Sequence, residues 1–173
     1  MSIHSSQEIK LDDEEFIVSK TDTSGRITYA NRVFMEISGY AESELLGVQQ
    51  NIIRHADMPR GVYRLLWNTI EAGSEFFGFV KNLCRDGRYY WVLANVTADF
   101  DDDGKLAGYL SVRRKPSQHA IDTIIPIYNE MLTIEKNSAS KKTAPDESIA
   151  FLMAKMKEME TDYQAYVLSL FNE

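Results

Sequence analysis

Asn51-Ile52-Ile53-Arg54-His55-Ala56-Asp57-Met58-Pro59 places two potential cations, a carboxylate and a helix-starting proline in one short stretch. Arginine pairs bidentately with phosphate, and histidine titrates or ligates near neutral pH. Further along come Phe76-Phe77-Gly78-Phe79-Val80-Lys81-Asn82 and Gly87-Arg88-Tyr89-Tyr90-Trp91, which read as strands joined by a tight turn. Asn82 offers both a donor and an acceptor, and Gly78, on the same strand face, leaves room for a flat group to approach. Polar groups converging beside a sheet are what orients a bound small molecule. A structural use is open for each. Arg54 or His55 can pair with Asp57 at the surface, Asp57 can cap the helix that begins near Pro59, and Asn82 can bond to backbone.

Turnover chemistry finds little support. No nucleophile–base pair, phosphate loop or metal-ligand spacing is visible, and Asp101-Asp102-Asp103-Gly104 reads as a hairpin turn. The reading is therefore not an enzyme, and no metal is expected. The net charge of −7 argues against nucleic acid as the main partner. A single Cys84 excludes an internal disulfide. No apolar run approaches a membrane span and the N-terminus has no signal-peptide pattern, so a cytoplasmic setting is expected.

These candidates need elements to position them. Residues 16–22 and 27–30 read as a hairpin around Thr23-Ser24-Gly25-Arg26. Asn31 can cap a short helix carrying Val33, Phe34 and Ile37, or it can reach a pocket. A second helix runs from about Arg60 to Ala72, with Val62, Leu65, Leu66, Thr69 and Ile70 at helical spacing. Trp67 lies on it, either in the core or as a pocket wall. Strands Phe76–Cys84, Tyr89–Phe100 and Leu106–Arg113 follow. The middle one carries Tyr90, Val92, Ala94 and Val96 on one face and Tyr89, Trp91 and Leu93 on the other, so both faces should be covered. The fold class is α+β: a five-stranded antiparallel sheet with short helices on one face, plus C-terminal helices.

The expected organisation is an N-terminal lead or cap (1–13), a main domain (14–116), a helical extension (117–136) that Pro126 should kink or break, a linker (137–148) and an amphipathic helix (149–171). In the last segment Ile149, Leu152, Met156, Met159, Tyr163, Tyr166 and Leu170 alternate three and four residues apart, a heptad seam. It predicts either an interface, within a homodimer or with a partner, or a helix folded back on its own domain.

Residues 14 to about 116 resemble a PAS domain. The resemblance rests on Ile27-Thr28-Tyr29-Ala30-Asn31, Ser38-Gly39-Tyr40, Arg85-Asp86-Gly87 and Gly108-Tyr109-Leu110-Ser111-Val112. Arg54-His55-Ala56-Asp57-Met58-Pro59, Val80-Lys81-Asn82, Tyr90-Trp91-Val92 and the closing Arg113 are similar to the sensor domains of bacterial aerotaxis receptors. That resemblance implies a non-covalent FAD reporting redox state or oxygen. It also implies a form in which a separate PAS protein docks on a methyl-accepting chemotaxis-type receptor. It assigns Arg54 and His55 to the cofactor's phosphates or adenine side, and Asp57, Trp67, Phe76 and Asn82 to its surroundings. Arg113 would stand beside the ring if it points inward and would be an exposed strand end if not. Phe76-Phe77 stands where the receptor pattern has Trp and a small residue, so an indole donor is lost while aromatic surface is kept. Ala56 replaces the pattern's Pro. Related light-sensing PAS domains need a Cys just before the pocket helix, and residues 47–53 hold none. Two other readings stand beside the flavin sensor: a haem gas sensor with His55 as axial ligand, and a cofactor-free adaptor.

Overall fold

The turns Arg85-Asp86-Gly87 and Asp101–Gly104 fold three long strands back on one another. In the computed structural model, which describes residues 7–172, these are β3 (Phe76–Leu83), β4 (Tyr89–Phe100) and β5 (Leu106–Arg114). The N-terminal pair, β1 (Ile17–Asp22) and β2 (Ile27–Ala30), joins the free side of β5. The result is one antiparallel sheet in the order β2-β1-β5-β4-β3.

Helices α1 (Arg32–Ser38), α2 (Glu42–Leu45) and α3 (Arg60–Glu71) follow β2 and lie over one face, with a 3₁₀ turn at Gln50–Ile53. Asn31 starts α1: its Oδ1 accepts from Phe34 N (3.0 Å) and Val18 N (3.0 Å), and its Nδ2 donates to Phe16 O (2.8 Å). Gly39 ends α1 at φ 74, the left-handed conformation that a side chain disfavours.

The opposite face is also covered, as the two-sided bulk of β4 predicts. Helix α4 (Gln118–Asn137) crosses it, and Trp91 stacks on Tyr128 at 6.4 Å and 27°. Pro126 neither ends nor splits α4. It sits on the exposed side, while Ile124, Ile127 and Tyr128 anchor the helix around it. Residues 7–11 run beside the start of β4, where Ile9 N donates to Tyr89 O at 2.7 Å and Leu11 enters the core. Residues 1–6 of the expected lead lie outside the described residues.

The C-terminal expectation needs correcting. Helix α5 (Ala144–Glu158) begins inside the predicted linker, because Pro145 occupies its first turn, where a missing N–H costs nothing, and Asp146 and Glu147 suit its positive end. The single helix over 149–171 is instead two, α5 and α6 (Tyr163–Asn172), separated by a turn. Leu152, Met156, Tyr163, Tyr166 and Leu170 are buried against the chain's own domain, so the seam folds back here. Helix α6 lies against edge strand β3, and α5 lies against α3 and α4. Tyr128 Oη donates to Phe79 O (2.8 Å) on the edge strand, leaving Tyr163 Oη to donate to Tyr128 Oη (2.7 Å).

Candidate functional site

Between α3 and the inner sheet face lies a cavity of about 410 Å³, within the size range of small-molecule sites. Strand alternation supplies its floor: Val80 and Asn82 from β3, Ala94 and Val96 from β4, and Tyr109, Ser111 and Arg113 from β5. Helix α3 supplies Tyr63, Leu66, Trp67 and Ile70, a face repeating at three and four residues. The 3₁₀ turn adds Gln50, Asn51 and Ile53, and the β1–β2 turn adds Ser24 and Gly25. Trp67 and Tyr109 meet edge to face at 5.3 Å and 85°, bracing the helix wall against the floor.

Arg113 decides the electrostatics. It is 3% exposed and inward, so the inward reading holds. One Nη donates to Ser19 Oγ, and the guanidinium carbon lies 4.7 Å from the Phe34 ring centroid. Nε has no partner, and no ion pair to Arg113 exists among the described residues. Burial lowers its pKa from the ordinary arginine value, as expected for a charge out of water.

Gln50 Oε1 and Arg113 Nε are buried without a hydrogen-bond partner among the described residues, and Tyr63 Oη and Tyr90 Oη, which face Arg54 and Asn82, make no hydrogen bond of ordinary geometry. Three belong to cavity-lining residues. The fourth, Tyr90, pairs with Asn82 across β3–β4 and points to the same side of the sheet. Buried polar groups are ordinarily satisfied, so this clustering singles the cavity out as the candidate ligand site. Burial pushes the Tyr63 hydroxyl up to about 12, against the opposing effect of Arg54, whose Cζ lies 3.8 Å from the Tyr63 ring centroid. Arg54 itself is exposed at the rim.

Of the sequence candidates, Arg54, Trp67, Asn82 and Arg113 line this cavity. Asn31, His55, Asp57 and Phe76 do not. Asn31 spends its side chain on the cap described above. Arg54 bridges to Asn82 on the cavity side, so the next residue turns the other way: His55 is buried edge to face against Tyr89 at 5.9 Å, and its Nδ1 accepts from Asp57 N at 3.1 Å. His55 therefore cannot serve as an axial ligand in this cavity. Asp57 does not cap α3; it pairs with Lys81 Nζ at 2.6 Å. Phe76 shares the inner face by alternation, but its ring fills the slot beside Gly78 and packs on Tyr163 at 6.1 Å. A Cβ at Gly78 would meet that ring at 2.5 Å, so the glycine makes room for Phe76 and not for a ligand. Sequence reading missed Gln50 and Tyr63. Tyr63 had a signal, since it stands one turn before Trp67 on the same helix face.

The cavity wall holds no sulfur nucleophile. Cys84 lies outside it, its Sγ donates to Ile37 O at 3.2 Å, and burial pushes its thiol up to about 12.

The arrangement, an antiparallel sheet with short helices enclosing a ligand-sized cavity on one face, is that of a sensory-type α+β module. The chain belongs to the PAS-fold family, whose model matches residues 27–113. It is 36% identical over 125 residues to the aerotaxis receptor of Escherichia coli (strain K12), an alignment spanning 72% of this chain and 24% of that receptor. It is 32% identical over 97 residues to the nitrogen fixation regulatory protein of Klebsiella pneumoniae, spanning 56% of this chain and 20% of that protein. The light-state structure of the blue-light photoreceptor Aureochrome1 LOV shares the fold, with a TM-score of 0.57 and 23% identity over 68% of this chain and 92% of that one. The chain thus spans about a quarter or less of these two curated relatives. Among the described residues, no helix is long and apolar enough to cross a membrane.

Proposed function

We propose that this chain is a flavin-holding PAS sensor that binds FAD non-covalently and reports redox state or oxygen to a methyl-accepting chemotaxis-type receptor by protein contact. The carrying observation is the cluster of unpartnered buried polar atoms at the cavity, with Arg113 Nε chief among them. The residues fit an isoalloxazine ring. Trp67, Leu66, Ile70 and Val96 give flat apolar walls, Asn82 and Gln50 give acceptors and donors, and Arg113 gives a fixed positive charge. Arg54 at the rim is the cation available to a phosphate.

Bound, the flavin would supply a reversible change of charge and protonation. On this chain, Arg113 and Asn82 are the groups positioned to answer such a change. Two connections lead from them to the C-terminal helices. One runs through the sheet to Trp91, which stacks on Tyr128 of α4. The other runs through α3, which lines the cavity and is gripped at its N-terminus by α4. A local electrostatic event is read out by a packed element in this way. The similarity to the aerotaxis receptor supports the chemotaxis reading.

The test is the visible absorption of protein purified without added cofactor, followed by denaturation and identification of what is released. Flavin absorption with FAD released is the expected result. Colourless protein that also refuses added FAD sinks the flavin and leaves a cofactor-free adaptor.

A further inference from the structure

A second cavity, also of about 410 Å³, lies on the other face of the sheet. Side chains alternate along β4, so Tyr90 and Val92 point to the side of the first cavity while Trp91, between them, faces this one. Ile121 of α4, Phe171 of α6 and Leu11 of the N-terminal segment complete an apolar floor with Trp91. Trp91, Leu11 and Ile121 are at most 7% exposed. No residue lines both cavities, so what binds here is independent of the flavin reading.

The rim carries Glu8, Lys10, Asp13 and Lys115, and these charges are not equivalent. Lys115 Nζ is closed on Asp13 Oδ1 at 2.8 Å. Lys10 Nζ donates to a neutral acceptor, Gln118 Oε1, at 3.1 Å, and Gln118 Nε2 in turn donates to Asp122 Oδ1 at 2.9 Å. Neither Lys10 nor Glu8 enters an ion pair among the described residues. The two stand two residues apart on the segment that bridges to Tyr89, and two residues of extended chain span about 7 Å. One cation and one anion, neither of them neutralised, thus stand over an apolar floor. Apolar walls with a few polar groups to fix orientation are the make-up of a small-molecule site.

We propose that this cavity binds a free α-amino acid with an apolar side chain. The ligand's carboxylate meets Lys10 Nζ, its ammonium meets the Glu8 carboxylate, and its side chain lies on Trp91, Ile121 and Phe171. An α-amino acid carries both charges on one carbon, and with a hydrogen bond of about 3 Å at either end it bridges such a gap. The rim's charges balance, which suits a zwitterion. A simple acid leaves Glu8 unmet beside its own carboxylate, and a simple amine does the same to Lys10. The occupant touches the N-terminal segment, the start of α4 and the end of α6 together, so it stabilises the fold where these three meet.

The experiment is calorimetric titration of the full chain with L-phenylalanine and L-leucine, each beside its N-acetyl and its amide derivative. The free amino acids should bind one to one and raise the melting temperature. Removing either charge from the ligand should weaken binding tenfold or more, the effect of a lost charge-assisted hydrogen bond. Glu8→Gln and Lys10→Met should each weaken the free amino acid by a similar factor and leave the visible absorption of the protein unchanged, since neither residue lines the first cavity. The derivatives act on the unsubstituted chain, so the test stands whether or not the variants fold. No binding of either amino acid at millimolar concentration overturns the proposal. So does a derivative that binds as well as the free amino acid, and so does binding that both variants retain. A colourless chain that binds the free amino acids as described keeps this proposal and loses only the flavin reading.

Discussion

Glu135 Oε1, near the end of α4, accepts the backbone N–H of Gly61 in the first turn of α3 at 2.8 Å. Its other oxygen accepts the Arg60 N–H at 3.0 Å, and Ser148 of α5 donates to Oε1 at 2.8 Å. A helix N-terminus leaves unpaired N–H groups and a partial positive charge, which a carboxylate satisfies. The local candidate for this cap, Asp57, is engaged with Lys81. A residue far along the chain therefore closes the helix that walls the cavity.

Glu135→Ala should destabilise the fold by about 1–2 kcal/mol, or roughly 3–6 °C in melting temperature for a chain of this size. It should also weaken ligand binding in the cavity, because α3 serves both contacts and coupling is reciprocal. Thermal melting with and without FAD measures both effects. An FAD-induced stabilisation equal in variant and parent would mean that α3 does not link them.

Arg113 supports a prediction in which the sign changes with occupancy. A buried charge without a carboxylate is costly, and replacing it by an apolar side chain of similar length commonly stabilises. Arg113→Met should therefore stabilise the ligand-free protein by about 1–3 kcal/mol while weakening FAD binding roughly 10–100-fold. Melting of the ligand-free variant and an FAD titration give the two numbers. If the ligand-free variant melts lower than its parent, the contacts with Ser19 and Phe34 are the reason for the arginine, and the cavity loses its main electrostatic claim.

The sheet was readable in the sequence because β4 is a long run rich in aromatic and branched residues and Gly87 and Gly104 punctuate its ends. The cavity was readable only in part. Arg54 and His55 are neighbours of similar promise, and a single step of strand-like alternation sends one to the cavity and the other to Tyr89. Phe76 is diverted by Gly78, whose missing side chain creates the slot its ring occupies. The α5 stop uses Glu160 in place of glycine, so the readable signal lay just beyond it, where Asp162 Oδ1 accepts from Ala165 N at 2.8 Å and starts α6. Glu135 was unreadable for another reason: the helix start it caps is more than seventy residues away, and nothing local marks a carboxylate as a distant cap.

Asn31→Ala separates a structural role from a cofactor role. The substitution removes three hydrogen bonds that tie β1 to the start of α1. A lost cap of this kind costs about 1 kcal/mol or somewhat more. The variant should melt lower, while bound flavin, measured by its absorption spectrum and affinity, stays as in the parent. A loss of affinity without a loss of stability would return Asn31 to the cavity.

Cys84 gives an alkaline prediction. Burial, with help from Asp86, raises its thiol from an ordinary 9.0 to about 12. The folded chain keeps a proton that the unfolded chain loses, so the stabilisation is complete below pH 9 and is lost as the pH rises toward 12. Tyr63, raised by burial to about 12, adds a slope of the same sign. Urea unfolding near pH 8 and about pH 10.5 should show lower stability at the higher value. In Cys84→Ala the drop should be smaller, although the variant starts from lower stability because it leaves a small void. In the native chain the thiolate fraction at neutral pH should lie far below that of a free cysteine, so alkylation should wait for unfolding. Rapid alkylation of native protein, with an unchanged melting temperature, would show that the thiol is not held as described.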